Sequence, residues 1–221
     1  PDQVDALLGD VARRLGDSPW GVGLLGFAPN DLMTEQVAVA LKYRPRFALI
    51  AGGRPDQARE LEAQGIPSYL HVPSVPLLRL FLDQGATRFV FEGRECGGHI
   101  GPLGSFVLWE TMIDALLEQL PSTGEAERVQ VLFAGGIHDE QSAAMLAMLA
   151  APLAARGVKV GVLMGTAYLF TREIVDTGGV VRGFQDQALR CTATVGLETG
   201  PGHASRSALT PFAQHFTETK R

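Results

Sequence analysis

The sequence predicts an α/β fold in which a parallel sheet is wound as a (β/α) barrel. Three observations carry this expectation. Six short apolar runs alternate with longer amphipathic stretches, the pattern of strands covered by crossover helices. The runs are almost continuously apolar, as strands buried on both faces must be. Several end in glycine or a polar residue, at the carboxyl ends where barrels and open α/β sheets alike present their ligand face. Glycine-rich ends on the last two runs match the phosphate site that barrels build after their late strands, which favours a barrel over a doubly wound sheet.

Strands are expected at 21–27, 47–53, 68–73, 88–93, 129–135 and 158–165. Helical periodicity falls between them, near 3–15, 31–43, 55–64, 74–84, 105–119, 139–155 and 166–176. After about residue 178 the alternation stops. A short helix is expected over 183–191, then a segment punctuated by Gly200-Pro201-Gly202, a turn that can continue neither a helix nor a central strand. The chain therefore divides into a barrel segment over 1–178 and a C-terminal extension over 179–221 packed on it.

With 221 residues, 46% of them hydrophobic, the chain can bury one sizeable core. The net charge of −5 comes from interspersed acids and bases, so there is no electrostatic footprint for nucleic acid or an anionic membrane. A small molecule or another protein is the expected partner. No apolar run is long enough to cross a bilayer, and two distant cysteines, Cys96 and Cys191, make no disulfide framework. A reducing cytoplasm is the expected compartment. The first residue is Pro1, so the numbering is expected to start inside a longer product.

The strongest motif runs from Glu92 through Gly93, Arg94, Glu95, Cys96, Gly97, Gly98 and His99 to Gly101, at the end of the fourth run. Adjacent glycines let backbone approach a flat ligand, and a histidine just after them can reach a substrate above that ligand and titrate near neutrality. The alternative is a tight turn ending in a structural histidine. Gly135-Gly136 closes the next run, with Asp139 placed to cap the following helix, and exposed amides at a helix start attract an anion. Gly165-Thr166 closes the last run and adds a hydroxyl. Two such ends on neighbouring strands suit one phosphate, against the plainer reading of loop geometry.

Gly21, Gly23 and Gly26 have dinucleotide-loop spacing, but they lie inside the apolar run and no acidic residue follows at the needed distance. Cys96 reads as a small filler rather than a reactive thiol. The five histidines show no zinc spacing, and of the others only His71 is a candidate pocket residue.

Taken in order, Ala51-Gly52-Gly53, Val72-Pro73-Ser74, the Glu92 to Gly101 loop, Ala134 to Ile137 and Met164 to Thr166 resemble the nitronate monooxygenase (2-nitropropane dioxygenase) family, which includes the FMN-dependent enoyl-acyl-carrier-protein reductases. The resemblance implies a TIM-like (β/α)8 barrel, FMN as cofactor, and His99 as the catalytic residue on the substrate side. Gly52, Glu92, Gly97, Gly98, Gly135, Gly136, Gly165 and Thr166 are the expected cofactor-binding residues, and no metal is expected. Nothing here matches the family's first two strands, so the chain is expected to supply strands three to eight, the missing pair preceding Pro1.

The implied chemistry is oxidation of alkyl nitronates or reduction of enoyl thioesters through the flavin, the latter with NAD(P)H as co-substrate. The tail from Glu198 to His203 resembles versions attached to polyketide or fatty-acid synthases. That implies an enoyl reductase component with an acyl carrier protein as partner. A non-catalytic scaffold barrel is the remaining alternative.

Overall fold

The structure, a computed structural model, describes residues 2–120, 123–200 and 203–219. Its first half runs α1 (Asp2–Leu15), β1 (Gly21–Leu25), α2 (Asn30–Tyr43), β2 (Phe47–Ala51), α3 (Pro55–Glu62), β3 (Ser68–His71), α4 (Val75–Asp83) and β4 (Arg88–Glu92). The middle holds β5 (Gly98–Ile100), α5 (Ser105–Gln119), α6 (Thr123–Ala126), β6 (Gln130–Ala134), α7 (Glu140–Arg156) and β7 (Lys159–Leu163). The remainder is a 3₁₀ turn (Thr166–Phe170), α8 (Glu173–Asp176), α9 (Arg182–Arg190), β8 (Thr194–Gly200), β9 (His203–Ala208) and α10 (Pro211–Thr219).

The large sheet has six parallel strands in the order β1-β2-β3-β4-β6-β7. Each strand lies beside its predecessor in the winding, so the direction never reverses and there is no switch point of the kind that defines a doubly wound sheet. This is barrel winding. Among the described residues no pairing joins β7 to β1, and Leu25, Val160 and Val162 on those outer strands are exposed. The sheet is an arc of six strands, with each of the six expected runs in place.

Phe89, Phe91 and Phe133 from β4 and β6 are fully buried against Leu108, Met112 and Leu116 of α5. The Phe91 and Phe133 rings meet edge to face at 5.5 Å, and Trp109 meets Phe133 in the same way at 5.8 Å. The Trp109 indole N–H donates to the Phe91 carbonyl at 3.2 Å, satisfying a polar group that burial would otherwise strand. This cluster fixes the β4–β6 register, which sets Glu92 beside Ala134 along the carboxyl rim, and the β6–β7 register sets Ala134 beside Leu163.

Two segments differ from the sequence expectation. The helix expected over 166–176 is a 3₁₀ turn followed by the single-turn α8. Gln185 of α9, buried and polar, donates its amide to the carbonyls of Leu169 and Thr171, both at 2.7 Å, taking acceptors that a continuous helix would use itself. The irregular tail is an antiparallel hairpin of β8 and β9, with β9 also pairing β5. Pro201 and Gly202 of the expected turn lie outside the described residues.

Phe91→Ala removes the ring at the centre of the aromatic cluster and is expected to cost roughly 3–5 kcal/mol. Chemical denaturation should show a lowered midpoint with an unchanged slope.

Candidate functional site

The carboxyl ends of β4, β6 and β7 border a cavity of about 700 Å³. Six of the expected residues line it: Glu92, Gly97, Gly135, Gly136, Gly165 and Thr166. Gly52, Gly98 and His99 are not among the lining residues, whereas Glu95, Cys96, His138, Phe170 and Arg206 are.

The wall is built by close approach of backbone. A Cβ on Gly93 would fall 2.1 Å from the Ser105 Oγ, and one on Gly135 would fall 2.2 Å from the same atom. Gly135 and Gly136 have φ of 126° and 75°, which side chains other than glycine rarely adopt. Both rim loops therefore press on the first turn of α5. Glu95 completes the joint: one carboxylate oxygen accepts from the Ser105 amide at 2.6 Å and from its hydroxyl at 2.5 Å. Burial alone would raise the Glu95 carboxyl, but these hydrogen bonds and the nearby Arg206 charge outweigh it and hold it below the usual carboxylate range.

The start of α7 carries the expected Asp139 cap. Asp139 caps that helix with its own carboxylate, which accepts from the Ser142 amide at 2.8 Å. The positive end of the helix dipole is thus already answered by a negative side chain. What remains for an anion is the Gly135-Gly136 turn, the Gly165-Thr166 end and Arg206. Gly165 has open space where a Cβ would stand, and a Cβ on Gly97 would sit 3.6 Å from the Thr166 hydroxyl. The two glycine-bearing ends therefore face one another.

Arg206 was not legible in the sequence because it arrives from β9, paired opposite Gly98, and bonds the Glu95 carbonyl at 2.5 Å across 111 residues of chain. Its signal is faint: two strand-length runs of small and β-branched residues flanking a Gly-Pro-Gly turn.

Cys96 is half-buried; burial first, then the charges of Glu92 and Glu95, push its thiol up to about 12, so it is a thiol and not a thiolate near neutrality. His71 lies behind the cavity rather than in its lining, its Nδ1 2.7 Å from a Glu92 carboxylate oxygen. Its Nε2 is buried without a hydrogen-bond partner among the described residues.

His99 sits on β5 opposite Ser205. Alternation along the strand turns it to the face opposite Gly98 and Arg206. Its ring meets Phe27 edge-on at 5.9 Å, and Gly52, with φ of 61°, leaves only 2.8 Å between a would-be Cβ and the Phe27 ring. Gly52, Phe27 and His99 thus form a second group on the rim, near the ends of β1 and β2. Among the described residues no cluster of His, Cys, Asp or Glu could hold a metal, and no helix is long and apolar enough to cross a membrane.

Residues 11–182 match the nitronate monooxygenase family. Two curated relatives, from Rhodococcus jostii and Mycobacterium tuberculosis, carry the name (3aS,4S,5R,7aS)-5-hydroxy-7a-methyl-1-oxo-octahydro-1H-indene-4-carboxyl-CoA dehydrogenase. The first is 30% identical over 79% of this chain and 45% of its own length; the second is 27% identical over 91% of this chain and 52% of its own. The chain spans about half the length of these curated relatives. FabK from Thermotoga maritima superposes with a TM-score of 0.74 at 26% identity, covering 98% of this chain and 63% of FabK.

Glu95→Gln removes a carboxylate whose ionised form is held by the first turn of α5. Because the folded group titrates below its ordinary value near 4.5, its contribution is complete above that value and fades as pH falls through the lowered one. The wild type is therefore expected to melt above the variant near neutrality, with the gap closing below about pH 4.5. Melting curves across pH check this.

Proposed function

Because the chain belongs to the nitronate monooxygenase family, we propose that it works as an FMN-dependent oxidoreductase acting on an acyl thioester. One observation carries the cofactor assignment. A cavity of about 700 Å³, in the size range of cofactor sites, is bounded by glycine turns on the neighbouring strands β6 and β7. The residues present fit FMN: Gly135, Gly136, Gly165 and Thr166 take its phosphate, and Gly52, Glu92, Gly97 and Gly98 are the further rim residues assigned to it. When bound, FMN supplies hydride transfer to or from the β-carbon of the substrate.

The protein's own part is to place the two reactants and manage a proton. His99 gives a proton to the carbon next to the thioester carbonyl when an enoyl thioester is reduced, and removes it from that carbon in the oxidative direction. Hydride and proton together account for both hydrogens of the saturated product. Glu95 and Ser105 hold the loop that carries His99, and His71 orients Glu92 from behind. The thioester is favoured over a nitronate because both curated relatives are named for a carboxyl-CoA substrate. NAD(P)H is the assigned electron source, and coenzyme A or an acyl carrier protein the assigned thioester carrier.

Gly165→Asp is expected to abolish FMN binding while leaving the melting temperature of the flavin-free protein unchanged, since the position has room for the side chain and the added charge opposes phosphate. Gly135→Asp is a poorer probe, because its Cβ would strike Ser105 whatever the ligand. Unchanged flavin affinity in Gly165→Asp places the phosphate elsewhere.

His99→Ala should keep FMN and lose roughly 10²- to 10⁴-fold in turnover. Anaerobic mixing separates the chemistries: bleaching by NADH or NADPH and recolouring by an enoyl thioester supports the reductase. Bleaching by an alkyl nitronate alone supports nitronate oxidation, and neither response leaves a scaffold. A wild-type rate in His99→Ala removes His99 from the mechanism.

A further inference from the structure

Arg206 is the one arginine or lysine among the described residues lining the rim cavity. A guanidinium carries five N–H donors in a rigid fork. Two are engaged in the structure, the Nε–H on the Thr194 hydroxyl at 3.0 Å and an Nη1 hydrogen on the Glu95 carbonyl at 2.5 Å. These two bonds aim the group and leave three of its N–H donors for a ligand.

Two carboxylates of the cavity oppose an anion. Glu92 and Glu95 line it, and their charges add to burial in raising the Cys96 thiol. The dipole of α7, the usual source of compensation, is answered by Asp139. An anion seated on the Gly135-Gly136 turn and Thr166 therefore needs a positive charge from elsewhere, and β9 delivers one.

We propose that Arg206, carried by the C-terminal hairpin, is the cationic ligand of a phosphate group in the rim cavity. On the reading above, on which this inference rests, the group is the phosphate of FMN. The same fork suits a phosphate of coenzyme A. The assignment makes the hairpin a part of the cofactor site: β9 pairs β5, so one element both holds the glycine loop in place and brings the charge that loop lacks.

The test compares ligands that differ by phosphate. FMN and riboflavin, and in parallel coenzyme A and pantetheine, are titrated into the wild type, Arg206→Gln and Arg206→Lys. Charge-assisted hydrogen bonds are lost in the Gln variant, so FMN should bind about 10- to 100-fold more weakly with riboflavin unchanged. The Lys variant should recover part of the loss, keeping the charge without the fork, and it serves as the test if Arg206→Gln disturbs the hairpin.

Equal weakening of FMN and riboflavin, or no change for any phosphate-bearing ligand, overturns the proposal and makes Arg206 a strut between Thr194 and Glu95. Weakening of coenzyme A but not pantetheine, with the flavins unaffected, assigns the phosphate to the thioester carrier. A wild type that binds neither flavin overturns the flavin reading by itself, and the coenzyme A pair then decides the role of Arg206.

Discussion

The rim depends on one contact, the seating of two glycine loops on the first turn of α5. Ser105 is buried, and neither Gly93 nor Gly135 has room for a Cβ against it. The Glu95 carboxylate locks the same turn from the other side, replacing solvent at the Ser105 amide. A helix start that would otherwise be an open anion site is thus closed by a side chain of the motif itself. The rim glycines therefore serve two purposes: Gly93 and Gly135 let loop meet helix, while Gly135, Gly136 and Gly165 border the cavity.

This division explains why charge in the cavity is unevenly distributed. Both helix starts nearest the rim, those of α5 and α7, are answered by carboxylates, Glu95 and Asp139. The backbone retains its turns, but positive charge comes from a distant part of the chain. The hairpin of β8 and β9 is then more than an appendage. Through β5 it fixes the backbone of Gly98 and His99, and through Arg206 it reaches the carbonyl of Glu95.

The six-stranded arc was legible because its signal is local. Strands such as Phe89–Phe91 and Val131–Phe133 are apolar on both faces, and buried parallel strands require that. The ends of those strands were legible too, since glycine with positive φ is a demand of the backbone itself. The failures share a cause. The segment over 166–176 loses its helix to Gln185, 14 to 16 residues beyond the carbonyls it takes, and β9 of the tail pairs a strand about 100 residues earlier; both partners lie outside the segments they reshape. Propensity summed over a window cannot register a competitor outside the window.

The sequence by itself determined the six strands of the large sheet, their sequential winding, the family and the placement of Glu92, Gly97, Gly135, Gly136, Gly165 and Thr166 on one rim, because periodicity and backbone geometry are properties of neighbouring residues. Tertiary structure alone decided which of them share a cavity. It turned His99 toward Phe27 and Gly52, put His71 behind Glu92, and brought in Arg206. Side-chain direction and charge balance depend on what packs from elsewhere in the chain, and at this rim that partner is the C-terminal hairpin.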